Sequence, residues 1–498
     1  MTNTNRLLIA ATLTLVPAGA FAAEGVRTAS TAAPEGAFVV KPYLQIGSAP
    51  AKGTLSLLWH AADADVDWSV ETQNGPDRPW TKAAAPTSRR VAVAGTEPHR
   101  VLRAMLTGLE PGGTFRYRVL KGGEAVFTSE ARAAKSGDQP YRFVAFGDCG
   151  AGTEEQKPLA LRAYKEKPDL VVVPGDIVYE KGLTTDYRTK FWPVYNADDA
   201  SADGAPLLRS TLFVAAPGNH DTDTHDLDTY PNAKAYFLYW DQPLNGPVGK
   251  EGGPFVPALK ASEEHRKAFV EAAGEAYPRM TNFSFDYGNA HWTVVDSNPY
   301  VDWTDAALNK WVADDLAAAK DATWRFVAFH HPGFNSAREH YEQQQMRLLA
   351  PILEAGKVDV VFNGHVHNYQ RSYPLRFVAD KQGIPLIGGR DGKTPRGRVV
   401  NGRWTLDKTL DGRSDTTPEG VIYVVTGAGG QHLYNPEQND DPDSWQKFTD
   451  KFVSKVHSLT VADVDGGTLT IRQVTADGAE LDRFVVTKPG ASAAAGTR

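Results

Sequence analysis

The sequence predicts an α/β (α+β) chain of two domains: an all-β sandwich first, then a mixed sheet covered by helices. Three observations carry this expectation. The length of 498 residues exceeds one ordinary hydrophobic core, so two domains are expected. Short runs of alternating apolar residues, punctuated by Gly, Ser and Pro, fill the first third. After residue 140 the pattern becomes continuous apolar runs of four to six residues interleaved with helical stretches. A hydrophobic content of 41% with 23% charged residues describes a chain that folds. The net charge of −7 and the lack of a long basic run argue against nucleic acid or an anionic membrane as partner.

The first residues read as an address. Arg6 precedes the apolar run Leu7 to Val16, Pro17 breaks it, and Ala20-Phe21-Ala22 supplies small residues where a signal peptidase cuts. The run is shorter than the roughly 18–20 residues a membrane-spanning helix needs. Residues 1–22 are therefore expected to be a cleaved signal peptide, and the protein to be secreted or periplasmic. The single cysteine, Cys149, excludes an intramolecular disulfide and reads as a small buried hydrophobe.

Within the N-terminal domain, placed at residues 36–134, strands are expected at 38–46, 53–60, 66–72, 90–94 and 100–106. The turn Leu109-Glu110-Pro111-Gly112 then feeds the strand Thr114 to Val119. This spacing suggests a sandwich, and the turn before a Tyr-bearing strand resembles a fibronectin-type-III module. No clustered chemistry falls in it. Residues 133–140 are polar and mark the boundary.

In the second domain, placed at 141–487, five apolar runs each end in Gly or a ligand-type residue. They lead into Gly147-Asp148-Cys149-Gly150, Gly175-Asp176-Ile177-Val178-Tyr179, Gly218-Asn219-His220-Asp221, His330-His331-Pro332 and Gly364-His365-Val366-His367. Helices are expected at 155–166, at 305–320 with Leu308, Trp311, Val312 and Leu316 on one stripe, and at 343–355. Strands near 283–287, 291–296, 420–426, 458–463, 468–474 and 482–487 continue the sheet system, and 488–498 reads as a disordered small-residue tail. Ligands of such sheets gather at strand ends.

Each of these motifs alone is weak, since an Asp beside a Gly is usually a turn residue. Five strand ends carrying ligand types together are not. Carboxylate, imidazole, amide oxygen and phenolate are hard to borderline donors suited to Fe, Zn or Mn, and no thiolate set for structural zinc is present. One carboxylate can bridge two cations roughly 3.5–4 Å apart, an arrangement that serves in-line phosphoryl transfer by lowering the pKa of water.

In order, the five blocks resemble the motif blocks of the purple acid phosphatases, metallophosphoesterases with a four-layer α-β-β-α sandwich behind a fibronectin-like domain. The likeness spans roughly residues 38–487. It implies hydrolysis of phosphomonoesters at two metals. Asp148, Tyr179 and His367 would hold Fe(III), Asp176 would bridge, and Asn219, His330 and His365 would complete a site for Fe(II), Zn or Mn. It further implies that His220 hydrogen-bonds the phosphate, and that a substrate-facing histidine lies in the run Asn335 to His340. His340 fits that place, but Glu339 stands where a second histidine is often found, so the leaving-group acid is His340, Glu339 or neither. The resemblance gives His331 no role.

Tyr179 weighs against the cyclic-nucleotide phosphodiesterases of the same superfamily, which usually carry Asp-x-His in the first motif. A phosphodiesterase remains the alternative, and a secreted binding protein on a degenerate scaffold the second. Two insertions, about 222–281 and 374–418, could shape the rim, and Arg371, Arg376, Arg390 and Arg396 could bring positive charge near a phosphate.

Overall fold

The computed structural model describes residues 36–223, 225–380 and 398–488. The proposed signal peptide, Arg390, Arg396 and residues 489–498 of the expected tail lie outside them. Lys488 itself belongs to the fold, because its Nζ donates to Asp359 Oδ2 at 2.8 Å.

Two four-stranded antiparallel sheets form the N-terminal sandwich. One runs Val40–Gln45, Leu55–Ala62, His99–Leu106, Thr87–Val91, and the other Thr81–Lys82, Trp68–Gln73, Thr114–Lys121, Glu124–Arg132. Alternate residues point inward, so Leu57, Trp59, Val70, Tyr117, Val119 and Phe127 fill one buried cluster. Two tyrosines anchor the sandwich to the second domain. Tyr117 donates its hydroxyl to Arg209 O at 2.8 Å, and Tyr43 donates to Tyr239 O at 2.7 Å.

The second domain holds a six-stranded and a seven-stranded sheet face to face. In the first, Leu212–Ala216, Leu170–Pro174 and Tyr141–Ala145 run parallel, and Ser458–Asp465, Thr468–Thr475 and Glu480–Thr487 continue it antiparallel. In the second, Ala290–Val294, Trp324–Ala328, Val360–Asn363 and Ile422–Thr426 are parallel. Phe283–Tyr287 lies at one edge, with Tyr369–Ser372 and Thr449–Val453 at the other.

Strands buried on both faces explain the continuous apolar runs. Leu170 and Val172 belong to the core between the sheets, whereas Val171 and Val173 share a core with Leu159, Ala160 and Ala163 of the helix Gln156–Lys165. Between the sheets, Phe143 meets Trp292 at 5.1 Å and Phe362 at 5.5 Å between ring centres, both edge-on. The helix Ala306–Ala318 starts on Asp305, whose carboxylate accepts from Leu308 N at 2.8 Å, and it buries Leu308, Val312 and Leu316. Trp311 sits at the margin of that stripe, half-buried, its indole donating to Asn245 O at 3.3 Å.

The helix expected at 343–355 is two elements, a 3₁₀ turn Gln345–Leu349 and an α-helix Ala350–Ala355. Pro351 lacks the N–H that would bond back to residue 347, so the α pattern cannot run through. The 374–418 insertion contributes a two-stranded ribbon, Leu375–Ala379 with Gly402–Leu406. Arg371 is not available to a phosphate. Its guanidinium pairs with Asp450 at 2.5 Å and Asp482 at 2.7 Å, and lies 4.6 Å over the Phe484 ring.

Candidate metal centre

The five motif-bearing strands end on the same side of the two sheets, and the loops that leave them are laced together by their backbones. Asp148 N donates to Gly175 O and Cys149 N to Asp176 O, each at 3.2 Å, and Gly364 N donates to His330 O at 3.0 Å. Turning so sharply forces unusual backbone. Asp148 (φ 58°), Asp176 (φ 50°) and His365 (φ 68°) all occupy the left-handed region, which is uncommon for non-glycine residues and which Asp and His tolerate better than most. The flanking glycines leave space that a side chain would fill. A Cβ on Gly364 would stand 2.8 Å from Asp148 Oδ2, and one on Gly218 would fall onto the Asp176 carboxylate.

These loops bring all seven proposed ligands together. Tyr179 Oη lies 2.9 Å from Asp148 Oδ1, 3.0 Å from Asp176 Oδ2 and 3.2 Å from His367 Nε2. On the other side of Asp176, His330 Nε2 lies 3.1 Å from Asp176 Oδ2, 3.1 Å from Asn219 Oδ1 and 3.3 Å from His365 Nδ1. Asp176, His330 and His365 offer ligand atoms that all lie within 4.8 Å of one another. The cluster is asymmetric, with Asp176 common to its two halves.

Outer hydrogen bonds turn the imidazoles inward. His330 Nδ1 donates to Pro174 O at 2.9 Å and His367 Nδ1 to His432 O at 2.7 Å, so in each ring Nε2 faces the cluster. Burial, reinforced by His331, His340 and the other histidines, keeps His365 well below the usual imidazole range, so it stays neutral. Burial opposes charge on His330 as well, but the Asp176 carboxylate outweighs it and raises that ring to about 9. Burial, then the Asp148 and Asp176 carboxylates, holds the Tyr179 phenol well above its ordinary range.

The donor chemistry fits metal ions. Asp148 and Asp176 are both buried, and among the described residues neither pairs with Lys or Arg; the basic side chains that approach them are imidazoles. Two buried carboxylates with so little compensating charge are costly unless cations join them. The hydrogen-bond count agrees: the single Tyr179 proton cannot serve both carboxylates at once, and Asn219 Oδ1 and Asp176 Oδ2, both acceptors, converge on His330 Nε2.

Around the cluster, His220 donates its backbone N–H to Asp176 Oδ1 at 2.9 Å and its Nδ1 to Glu180 O at 2.6 Å. Its ring packs 4.3 Å from Tyr179, with Nε2 3.8 Å from Asp176 Oδ2. The His340 ring packs 4.1 Å from that of His365, tilted by 45°. Glu339 faces solvent, and its backbone rather than its carboxylate bonds to neighbours, N–H to Asn435 Oδ1 at 3.0 Å and carbonyl from Asn335 Nδ2 at 3.0 Å. His331 is a packing group, with Nδ1 3.1 Å from Ser297 Oγ and its ring 4.1 Å from His365.

Three residues with no role in the sequence reading complete the surroundings. Asp221 ties the loops by accepting from Gly218 N at 2.9 Å and Ile177 N at 3.1 Å. Tyr434 stacks on His367 at 4.1 Å, and Gln343 Oε1 lies 2.5 Å from His365 Nε2. Tyr434 had a signal, for it follows the apolar strand Ile422–Thr426 and the glycines Gly427, Gly429 and Gly430, a sixth strand end of the same kind. Gln343 had none.

The calcineurin-like phosphoesterase family profile matches residues 141–369. Purple acid phosphatase 23 of Arabidopsis thaliana is 26% identical over 373 residues, covering 71% of this chain and 67% of that protein. For purple acid phosphatase 13 of the same plant the matched share of the relative is 55%, so the chain spans between half and two thirds of these proteins. Among solved structures, a purple acid phosphatase from yellow lupin (Lupinus luteus) seeds superposes with a TM-score of 0.59 at 17% identity, covering 90% of this chain and 74% of that one. PhoD does so with a TM-score of 0.53 at 14% identity, covering 92% and 94%. The chain thus carries a calcineurin-like phosphoesterase domain over residues 141–369 and is similar, over about two thirds or more of its length, to purple acid phosphatases.

Proposed function

We propose that this phosphoric ester hydrolase cleaves phosphomonoesters at a dinuclear centre. Asp148, Tyr179 and His367 would hold Fe(III), Asn219, His330 and His365 would hold Fe(II), Zn or Mn, and Asp176 would bridge. The observation that carries the reading is the division of seven converging donors into two sets that share the buried Asp176 carboxylate. When bound, two such cations supply Lewis acidity and a low-pKa water for attack on phosphorus.

The chain's own residues supply the rest. His220 is held by Glu180 O through Nδ1 and presents the opposite edge of its ring beside Asp176, where an ester phosphate would be received. His340, against His365, is positioned to donate a hydrogen bond to the departing alkoxide, while the solvent-facing Glu339 carboxylate can act only from the rim. The substrate is a small phosphate ester, with no nucleic-acid partner. Secretion through residues 1–22 belongs to the same reading, and among the described residues no helix is long and apolar enough to cross a membrane.

Metal analysis with turnover of 4-nitrophenyl phosphate and bis(4-nitrophenyl) phosphate tests it. The expected result is two metals per chain and faster turnover of the monoester. Faster diester turnover would make the enzyme a phosphodiesterase, and a folded chain with neither metal nor turnover would leave only a binding scaffold.

A further inference from the structure

Gln343 stands between two imidazoles that the proposed chemistry uses in different ways. Its Oε1 lies 2.5 Å from His365 Nε2, and its Nε2 lies 3.2 Å from His340 Nδ1. An amide oxygen only accepts and an amide nitrogen only donates. The geometry points to Gln343 as a positioning residue that fixes opposite tautomers in its two neighbours: His365 with its proton on Nε2 and its Nδ1 lone pair turned to the metals, His340 with its proton on Nε2 and turned away from Gln343. This rests on His365 being a ligand of the centre proposed above.

The orientation of the amide follows from that ligand role. Reversed, the amide would aim N–H at His365 Nε2 and drive the His365 proton onto Nδ1. That proton would then point at His330 Nε2, 3.3 Å away, in the midst of the donor cluster. Only the orientation found leaves His365 a lone pair facing inward. It also leaves Gln343 Nε2 no choice but to donate to His340 Nδ1, so the two tautomers are set as a pair.

The segment that carries Gln343 is built to hold it still. Gln343 N donates to His340 O at 3.0 Å, closing the turn in which His340 takes φ 60°. Next along the chain, Gln344 N donates to Arg398 O at 2.7 Å, and Gln344 Oε1 accepts from Val400 N at 3.0 Å. Arg347 then clasps Gly333 O at 2.6 Å and Val400 O at 3.1 Å. The return limb of the 374–418 insertion thus braces the turn, and the loop that follows His330 is tied into the same knot.

A glutamate at this position would accept from both rings, keeping His365 as it is but pulling the His340 proton onto Nδ1. Gln343→Glu and Gln343→Met therefore separate this role from mere filling of space. Zinc-loaded protein with ¹⁵N-labelled histidine rings reports each tautomer through two-bond nitrogen–proton correlations, and equilibrium dialysis reports zinc affinity. The expected results are a His340 proton on Nε2 in the wild type and on Nδ1 in Q343E. Zinc affinity should fall about 10–100-fold in Q343M and recover in Q343E. Identical His340 tautomers in wild type and Q343E, or equal zinc affinities in wild type and Q343M, would overturn the role of Gln343 while leaving the centre intact. A folded wild-type chain that takes up no zinc, iron or manganese would instead overturn the centre itself.

Discussion

Tyr179 shows how far a single side chain sets the chemistry. Without cations its phenol is held protonated by burial and by two adjacent carboxylates, all of which oppose a phenolate. A trivalent cation among the same oxygens reverses the sign of that field and favours the phenolate. Tyr179→Phe should therefore abolish the visible charge-transfer band of iron-loaded protein while the fold persists, read by absorption and circular dichroism. A colourless, fully active, iron-free native enzyme would rule out the ferric assignment and leave Zn or Mn at both positions. His220→Ala removes a group that faces substrate without holding metal, so it should lower kcat/KM by about 10²-fold at unchanged metal content. Loss of metal in that variant would place His220 in the ligand set instead. At this scale the seven proposed donors were legible because each sits within five residues of the end of an apolar strand. Gln343 was not legible, because its meaning depends on His365 and His340, which lie 22 and 3 positions away in the sequence.

At the scale of elements, the unit that matters is a buried strand running into a glycine-bounded turn. The strand fixes where the turn begins, and the glycine lets neighbouring loops approach until carboxylates meet imidazoles. Gly218 bears most directly on the proposed bridge, since a Cβ there would stand 2.1 Å from Asp176 Oδ1. Gly218→Ala should displace that bridge, with a loss of metal binding in dialysis and a destabilisation of about 1–3 kcal/mol in thermal or denaturant unfolding. Unchanged metal affinity in the folded variant would show that the two loops can move apart freely. Strands read well from sequence because burial on both faces makes them continuously apolar. The 343–355 segment read less well, because its apolar spacing is helical but Pro351 interrupts the hydrogen-bond ladder.

The whole molecule couples its two domains through a buried aromatic and imidazole seam. His60 and His99 stack with ring centres 5.5 Å apart, against Tyr43 and Tyr239, with Arg89 and Arg188 nearby. Burial, with those arginines, pushes His60 well below its ordinary range; burial lowers His99 to about 4, the arginines adding to it and the Glu97 carbonyl and Asp63 opposing. Both rings are neutral in the fold and titrate near 6.5 when unfolded, so the unfolded chain binds more protons between those limits. Stability is then full above about pH 6.5 and falls as the pH drops toward 4, with His99 contributing on the order of 3 kcal/mol. Thermal midpoints across that range should show a shallower acid limb in His99→Gln than in the wild type. Coincident limbs would remove His99 from the account. The sequence by itself determined the mixed α/β fold behind a sheet-rich N-terminal region, the strand ends and the residue types of the proposed centre, because periodicity and ligand chemistry are written locally. Only the tertiary structure decided which imidazole edge faces inward, that Arg371 is bound to Asp450 and Asp482, and that Gln343 joins His365 to His340. Those facts depend on which distant backbones and side chains come within 3 Å of one another, and spacing along a chain does not encode that distance.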